Sequence, residues 1–133
     1  MKTMLKTLII ITMLSFIYCS DTKKQDESVA KDVTVEEFKK LVDSGKGLLL
    51  DVRTPDEFNE GHIMEAVNIN FYDKDFAQQV EKLDKMKPVY VYCRSGGRSG
   101  KTKDLLHKKG FTEIYNLEGG FLSWEKAGYK ITN

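Results

Sequence analysis

The sequence predicts an α/β fold, a central parallel sheet of about five strands with helices on both faces. Three observations carry that expectation. From residue 33 onward, short apolar runs alternate with helix-forming segments. Two of the runs, Leu48-Leu49-Leu50-Asp51-Val52 and Val89-Tyr90-Val91-Tyr92, are nearly continuous rather than alternating, as in strands buried on both faces. Two of the intervening segments open on capping boxes.

Taken in order, Thr34-Val35-Glu36-Glu37 reads as a capping box, with Phe38, Leu41 and Val42 on one helical face and Gly45 as a stop. Residues 48–52 form the first predicted strand. Thr54-Pro55-Asp56-Glu57 is a second capping box, with Pro55 at the first helical position. Residues 66–69 read as a short strand and 76–83 as a helix. Residues 89–92 are a strand of β-branched and aromatic residues, and 99–109 a helix stopped by Gly110. Residues 114–117 make the next strand, and 120–127 a last helix before Gly128.

The chain of 133 residues has room for one compact domain. Its 21 basic and 20 acidic side chains make no case for nucleic acid or another polyanionic partner. The N-terminus differs in kind. Lys2 and Lys6 precede an apolar run over residues 8–18, which suits an export signal better than a membrane span. Cys19 follows, and then a polar stretch beginning Ser20-Asp21-Thr22. The expected organisation is a signal over 1–18, a polar tether over 19–32 and a folded domain over 33–133. The junction resembles that of bacterial lipoproteins, which implies lipidation of Cys19, a membrane tether and an exported or periplasmic location. Tyr18 departs from the small residue usual in that signal. Cleavage elsewhere and an uncleaved N-terminus are the alternatives.

The chain has two cysteines. With Cys19 lipidated or in a tether, Cys93 has no intramolecular disulfide partner. Cys93 stands at the end of a predicted strand, before a turn written Arg94-Ser95-Gly96-Gly97-Arg98-Ser99 and a helix. Turn amides, the positive end of a helix and two arginines all favour a thiolate there. The plain alternative is a small buried hydrophobe. Gly96 and Gly97 let the loop close tightly, and Arg98 is placed to fork onto an anion. Arg94 either raises the local potential or points into water. Asp51 and Arg53 lie two apart on a strand and share one face, so an ion pair bracing nearby loops is expected. His62 reads as a histidine bonded to backbone rather than a base, since a loop-stabilised thiolate needs none. His62, His107 and Cys93 lack metal-ligand spacing, so neither metal nor cofactor is expected.

Three segments together carry a family resemblance. They are Asp51-Val52-Arg53 through Glu57-Phe58 to Gly61-His62-Ile63, then Cys93 to Arg98, then Glu118-Gly119-Gly120 with Trp124. In this order and spacing the chain resembles a single-domain rhodanese, a sulfurtransferase. The resemblance implies a rhodanese-like fold and a persulfide on Cys93, filled by a small anionic sulfur donor such as thiosulfate. A thiol, cyanide or protein acceptor would empty it. Arg94, Ser95, Gly96, Gly97, Arg98 and Ser99 would bind the donor, with Asp51, Arg53 and His62 in structural support and Gly119-Gly120 and Trp124 serving a turn and the core. Two other readings stay open. One is a persulfide carrier or binding module with little turnover. The other is a cysteine phosphatase, whose loop spaces cysteine and arginine more widely than the four residues found between Cys93 and Arg98.

Overall fold

The computed structural model describes residues 27–133, so the expectations for the signal and for Cys19 lie outside the described residues. Ten elements alternate along the chain: β1 (Val29–Val33), α1 (Val35–Asp43), β2 (Leu48–Asp51), α2 (Pro55–Asn59), β3 (Val67–Asn68), α3 (Phe76–Glu81), β4 (Val89–Tyr92), α4 (Gly97–Lys108), β5 (Glu113–Leu117) and α5 (Gly120–Lys126). The five strands form one parallel sheet in the order β1-β5-β4-β2-β3.

The central strand β4 explains the two-layer core. Successive side chains on a strand point to opposite faces. Val89, Val91 and Cys93 therefore pack with Leu50, Phe76, Val80 and Leu106, on the side covered by α3 and α4. Tyr90 and Tyr92 join Phe38, Leu117, Phe121 and Trp124 on the side covered by α1 and α5. All four β4 residues are buried, as the unbroken apolar run requires. The thiol is thus delivered to the α4 side of the sheet.

Several expected boundaries move. Residues 29–32, read as the end of a tether, pair with β5 along the whole of β1. Lys31 and Asp32 masked that strand, but it is an edge strand, where charges are tolerated. The Asp32 carboxylate accepts bonds from Lys103 Nζ at 2.9 Å and Asn116 Nδ2 at 3.0 Å, across the sheet and onto α4. The folded domain therefore begins before residue 33. The helix expected over 76–83 regularly spans only Phe76–Glu81, its chain closing with a Leu83 N–H bond to the Val80 carbonyl. The helix expected from 99 begins at Gly97, so the end of the cysteine loop is already helical. At Thr34 only half a capping box forms, with Oγ1 accepting the Glu37 N–H. At Thr54 the box is complete.

Candidate active site

Cys93 follows β4 directly and is 1% exposed. Its sulfur accepts the Gly96 N–H at 3.1 Å and the Ser99 hydroxyl at 3.2 Å. Burial alone would push this thiol up. The Ser99 hydroxyl and the N–H groups of Ser99, Gly96 and Ser95 outweigh it, and the thiol lies below its ordinary range. Gly96 makes the turn possible by adopting φ +108°, a conformation that side chains disfavour. Gly97 has no such role: its φ is not left-handed, and an added Cβ would meet nothing within 4 Å.

The loop is held from behind by the start of α5. Phe121 N–H donates to the Cys93 carbonyl at 2.8 Å, and Leu122 N–H to the Arg94 carbonyl at 3.1 Å. The approach is so close that a Cβ on Gly120 would lie 2.6 Å from the Cys93 and Arg94 carbonyl oxygens. Gly119 and Gly120 form this turn at φ +73° and +59°, and Trp124 is buried beneath it.

Arg98 departs from the sequence expectation. Rather than standing open for a donor, its guanidinium forks onto Glu57, with Nη1 to Oε2 at 2.8 Å and Nη2 to Oε1 at 2.9 Å. It also lies 5.5 Å from the centre of the Tyr72 ring, which is largely exposed. Hydrogen bonding from Arg98 is the main reason that Glu57 is held down at about 2, with bonds from Thr54 adding to it against a burial penalty. Arg94, Ser95 and Gly97 are exposed on the loop, whereas Ser99 is fully buried against the sulfur.

Asp51 and Arg53 form a buried pair at 2.7 Å. Arg53 also donates to the Gly61 carbonyl at 2.8 Å and lies 4.1 Å from the Phe121 ring centre, so it ties the loop after α2 to α5. The His62 ring lies on Phe58 with centroids 3.7 Å apart, and its Nδ1 is 3.0 Å from the Phe58 carbonyl. Its backbone bridges Thr132. Both arrangements tie the loop after α2 to neighbouring segments. Among the described residues no group of three His, Cys, Asp or Glu side chains is placed to hold a metal ion.

A cleft of about 160 Å³ borders the loop, lined among others by Arg53, Glu57, Glu60, Arg94, Phe121 and Glu125. Sequence reasoning missed the second function of Glu57. Its capping role was legible within four residues, but its bond to Arg98 joins positions 41 apart. Tyr72 carried no local signal at all.

The arrangement can hold a sulfur anion at a helix start. The family model described as a rhodanese-like domain matches residues 34–127. An uncharacterized protein of Bacillus subtilis, YqhL, is 40% identical over 116 residues, covering 87% of this chain and 89% of its own. Thiosulfate sulfurtransferase GlpE of Shewanella oneidensis is 30% identical over 97 residues, 73% of this chain and 94% of its own. Among solved structures, a rhodanese-related protein from Thermoplasma volcanium superposes with a TM-score of 0.68 at 25% identity, covering 77% of this chain and 97% of its own. A five-stranded parallel sheet, a cysteine loop at its carboxyl edge and these relatives agree: the chain belongs to the rhodanese-like domain family.

Proposed function

We propose that the protein is a sulfurtransferase that carries a sulfane sulfur as a persulfide on Cys93, with thiosulfate the simplest donor. The observation that supports this reading is the buried sulfur with hydrogen bonds from Gly96 and Ser99 and a lowered pKa. A thiolate is the reactive form, and these bonds favour it without a separate base.

The steps balance. Cys93 Sγ attacks the outer sulfur of thiosulfate and forms a new S–S bond. The bond between that sulfur and the sulfonate breaks, and its electron pair leaves with sulfite. The terminal sulfur of the persulfide then carries the negative charge, close to the loop amides and the start of α4. Cyanide, a thiol or a protein thiolate attacks that sulfur, and the electrons of the persulfide bond return to Cys93. Exposed Arg94 contributes positive potential at the mouth. Commitment of Arg98 to Glu57 weighs against a phosphatase, which needs that arginine for the phosphoryl group. On the sequence of residues 1–28, the same proposal has the domain outside the cytoplasm on a tether from Cys19.

Intact-mass measurement of the reduced protein tests the reading. Thiosulfate should add the mass of a single sulfur atom, and cyanide should remove it as thiocyanate. Cys93→Ser should abolish both steps, because a serine hydroxyl is not ionised near neutral pH. Thiocyanate production that survives in the serine variant overturns the proposal, as does a wild-type protein that takes up no sulfur.

A further inference from the structure

Arg98 is a cation already in use. A guanidinium offers five N–H donors, and Glu57 takes one from each terminal nitrogen in a bidentate fork. Glu57 is not free to swing away. Its Oε2 also accepts the Thr54 N–H at 2.9 Å and the Thr54 hydroxyl at 3.1 Å, so the capping box of α2 fixes the carboxylate that fixes Arg98. The pair is partly sheltered, with side chains 16% and 25% exposed. Screening there is incomplete, and the positive charge expected to draw in an anion is largely cancelled where it stands.

The cleft beside the loop, which Glu57 lines and Arg98 does not, fails to restore the balance. Glu60 and Glu125 line it beside Arg94. Arg53 is matched by Asp51. Of the three arginines at the site, only Arg94 has no carboxylate partner among the described residues. A small dianion entering the cleft meets a single uncompensated guanidinium and several carboxylates.

We propose that Glu57 is a positioning residue that acts through Arg98 to lower the site's preference for dianionic sulfur donors, favouring neutral or singly charged sulfur carriers. This rests on Cys93 being the nucleophile of sulfur transfer. A purely structural Glu57 would brace the loop and affect all reagents alike. A charge-compensating Glu57 affects anionic reagents selectively.

Alkylation of Cys93 separates these without requiring turnover. In the full-length protein, Cys93 modification is followed by peptide mass spectrometry with iodoacetate, an anion, and iodoacetamide, its neutral analogue. Glu57→Gln should raise the iodoacetate-to-iodoacetamide rate ratio roughly fivefold, the order expected for removing one partly screened charge beside the loop. The KM for thiosulfate should fall in parallel, with kcat changed less than about twofold. Arg98→Gln should move the ratio the other way, below wild type, because it uncovers Glu57. An unchanged ratio in either folded variant, or a fall in Glu57→Gln, overturns the proposal. A wild-type protein that takes up no sulfur from thiosulfate or from a neutral or singly charged sulfur carrier would instead defeat the sulfur-transfer reading and leave the alkylation ratios readable.

Discussion

Two helices begin at this site, and they begin alike. α4 and α5 each follow a left-handed glycine, Gly96 at φ +108° and Gly119 at φ +73°, and neither has a side-chain cap. The first N–H groups of a helix have no partner within it, so both starts must find acceptors elsewhere. α5 finds them in the carbonyls of Cys93 and Arg94. α4 has the Cys93 sulfur before it, bonded by Gly96 N–H and the Ser99 hydroxyl. The acceptor distinguishes the two. A backbone carbonyl cannot leave or change charge, so α5 is a brace. A thiol can ionise, and the Ser99 hydroxyl and the amides at the start of α4 favour its anionic form. The brace also serves the reactive end, because fixing the two carbonyls behind the loop leaves its amides turned toward the sulfur.

The most severe way to break this division of labour is to put a side chain between the two helices. Gly120→Ala places a Cβ 2.6 Å from two backbone carbonyl oxygens at a residue with φ +59°. Backbone cannot yield as a flexible side chain would, and the conformation itself is strained. The expected cost is on the order of 3 kcal/mol, with a melting temperature lowered by roughly 10–20 °C and sulfur loading lost with it. Thermal unfolding followed by circular dichroism measures the first and intact mass the second. A variant of wild-type stability and full loading would mean that α5 does not hold the loop.

A subtler change leaves the brace intact and weakens the reactive start alone. Ser99→Ala removes the hydroxyl bond to the sulfur, the largest of the contributions that favour the thiolate. The sign follows directly: losing a bond to the anion raises the thiol pKa, so less thiolate is present at neutral pH. Alkylation by iodoacetamide at neutral pH should slow about tenfold, as expected for losing one charge-assisted hydrogen bond. At a pH above both midpoints the two proteins should react at similar rates. A pH profile superimposable on wild type would show that the backbone amides suffice.

The same contrast explains what could be read from sequence. The strand, loop and helix around Cys93 were legible because their parts are consecutive: an apolar strand, a cysteine, Gly96 and a helix. The complete capping box at Thr54 was equally local. The contacts that position the loop are not local. Phe121 reaches Cys93 across the turn after β5, and Glu57 reaches Arg98 from a different helix. No spacing rule joins such positions. β1 was hidden for another reason, since Lys31 and Asp32 give an edge strand the polarity of a tether. Asp51 and Arg53 were readable as a pair from their spacing, and the structure buries them together although Arg53 lies past the end of β2, where its backbone N–H also donates to Asp51.

The mildest test concerns the glycine beside Gly96. The sequence suggests that Gly96 and Gly97 both serve tight closure, but the structure assigns that need to Gly96 alone. Gly97 opens α4 without left-handed geometry, and a methyl group there would touch nothing within 4 Å. Alanine is the better helix former and has fewer unfolded conformations to lose. Gly97→Ala should therefore stabilise the protein by about 0.4–1 kcal/mol. Because the methyl group meets no protein atom, sulfur loading from thiosulfate should stay within about twofold of wild type. Chemical denaturation and a loading time course would be run on the same preparation. Destabilisation would show that Gly97, like Gly120, is a position where backbone approach matters. A stabilised protein that loads sulfur slowly would show that the open space at Gly97 is the path by which the donor reaches Cys93.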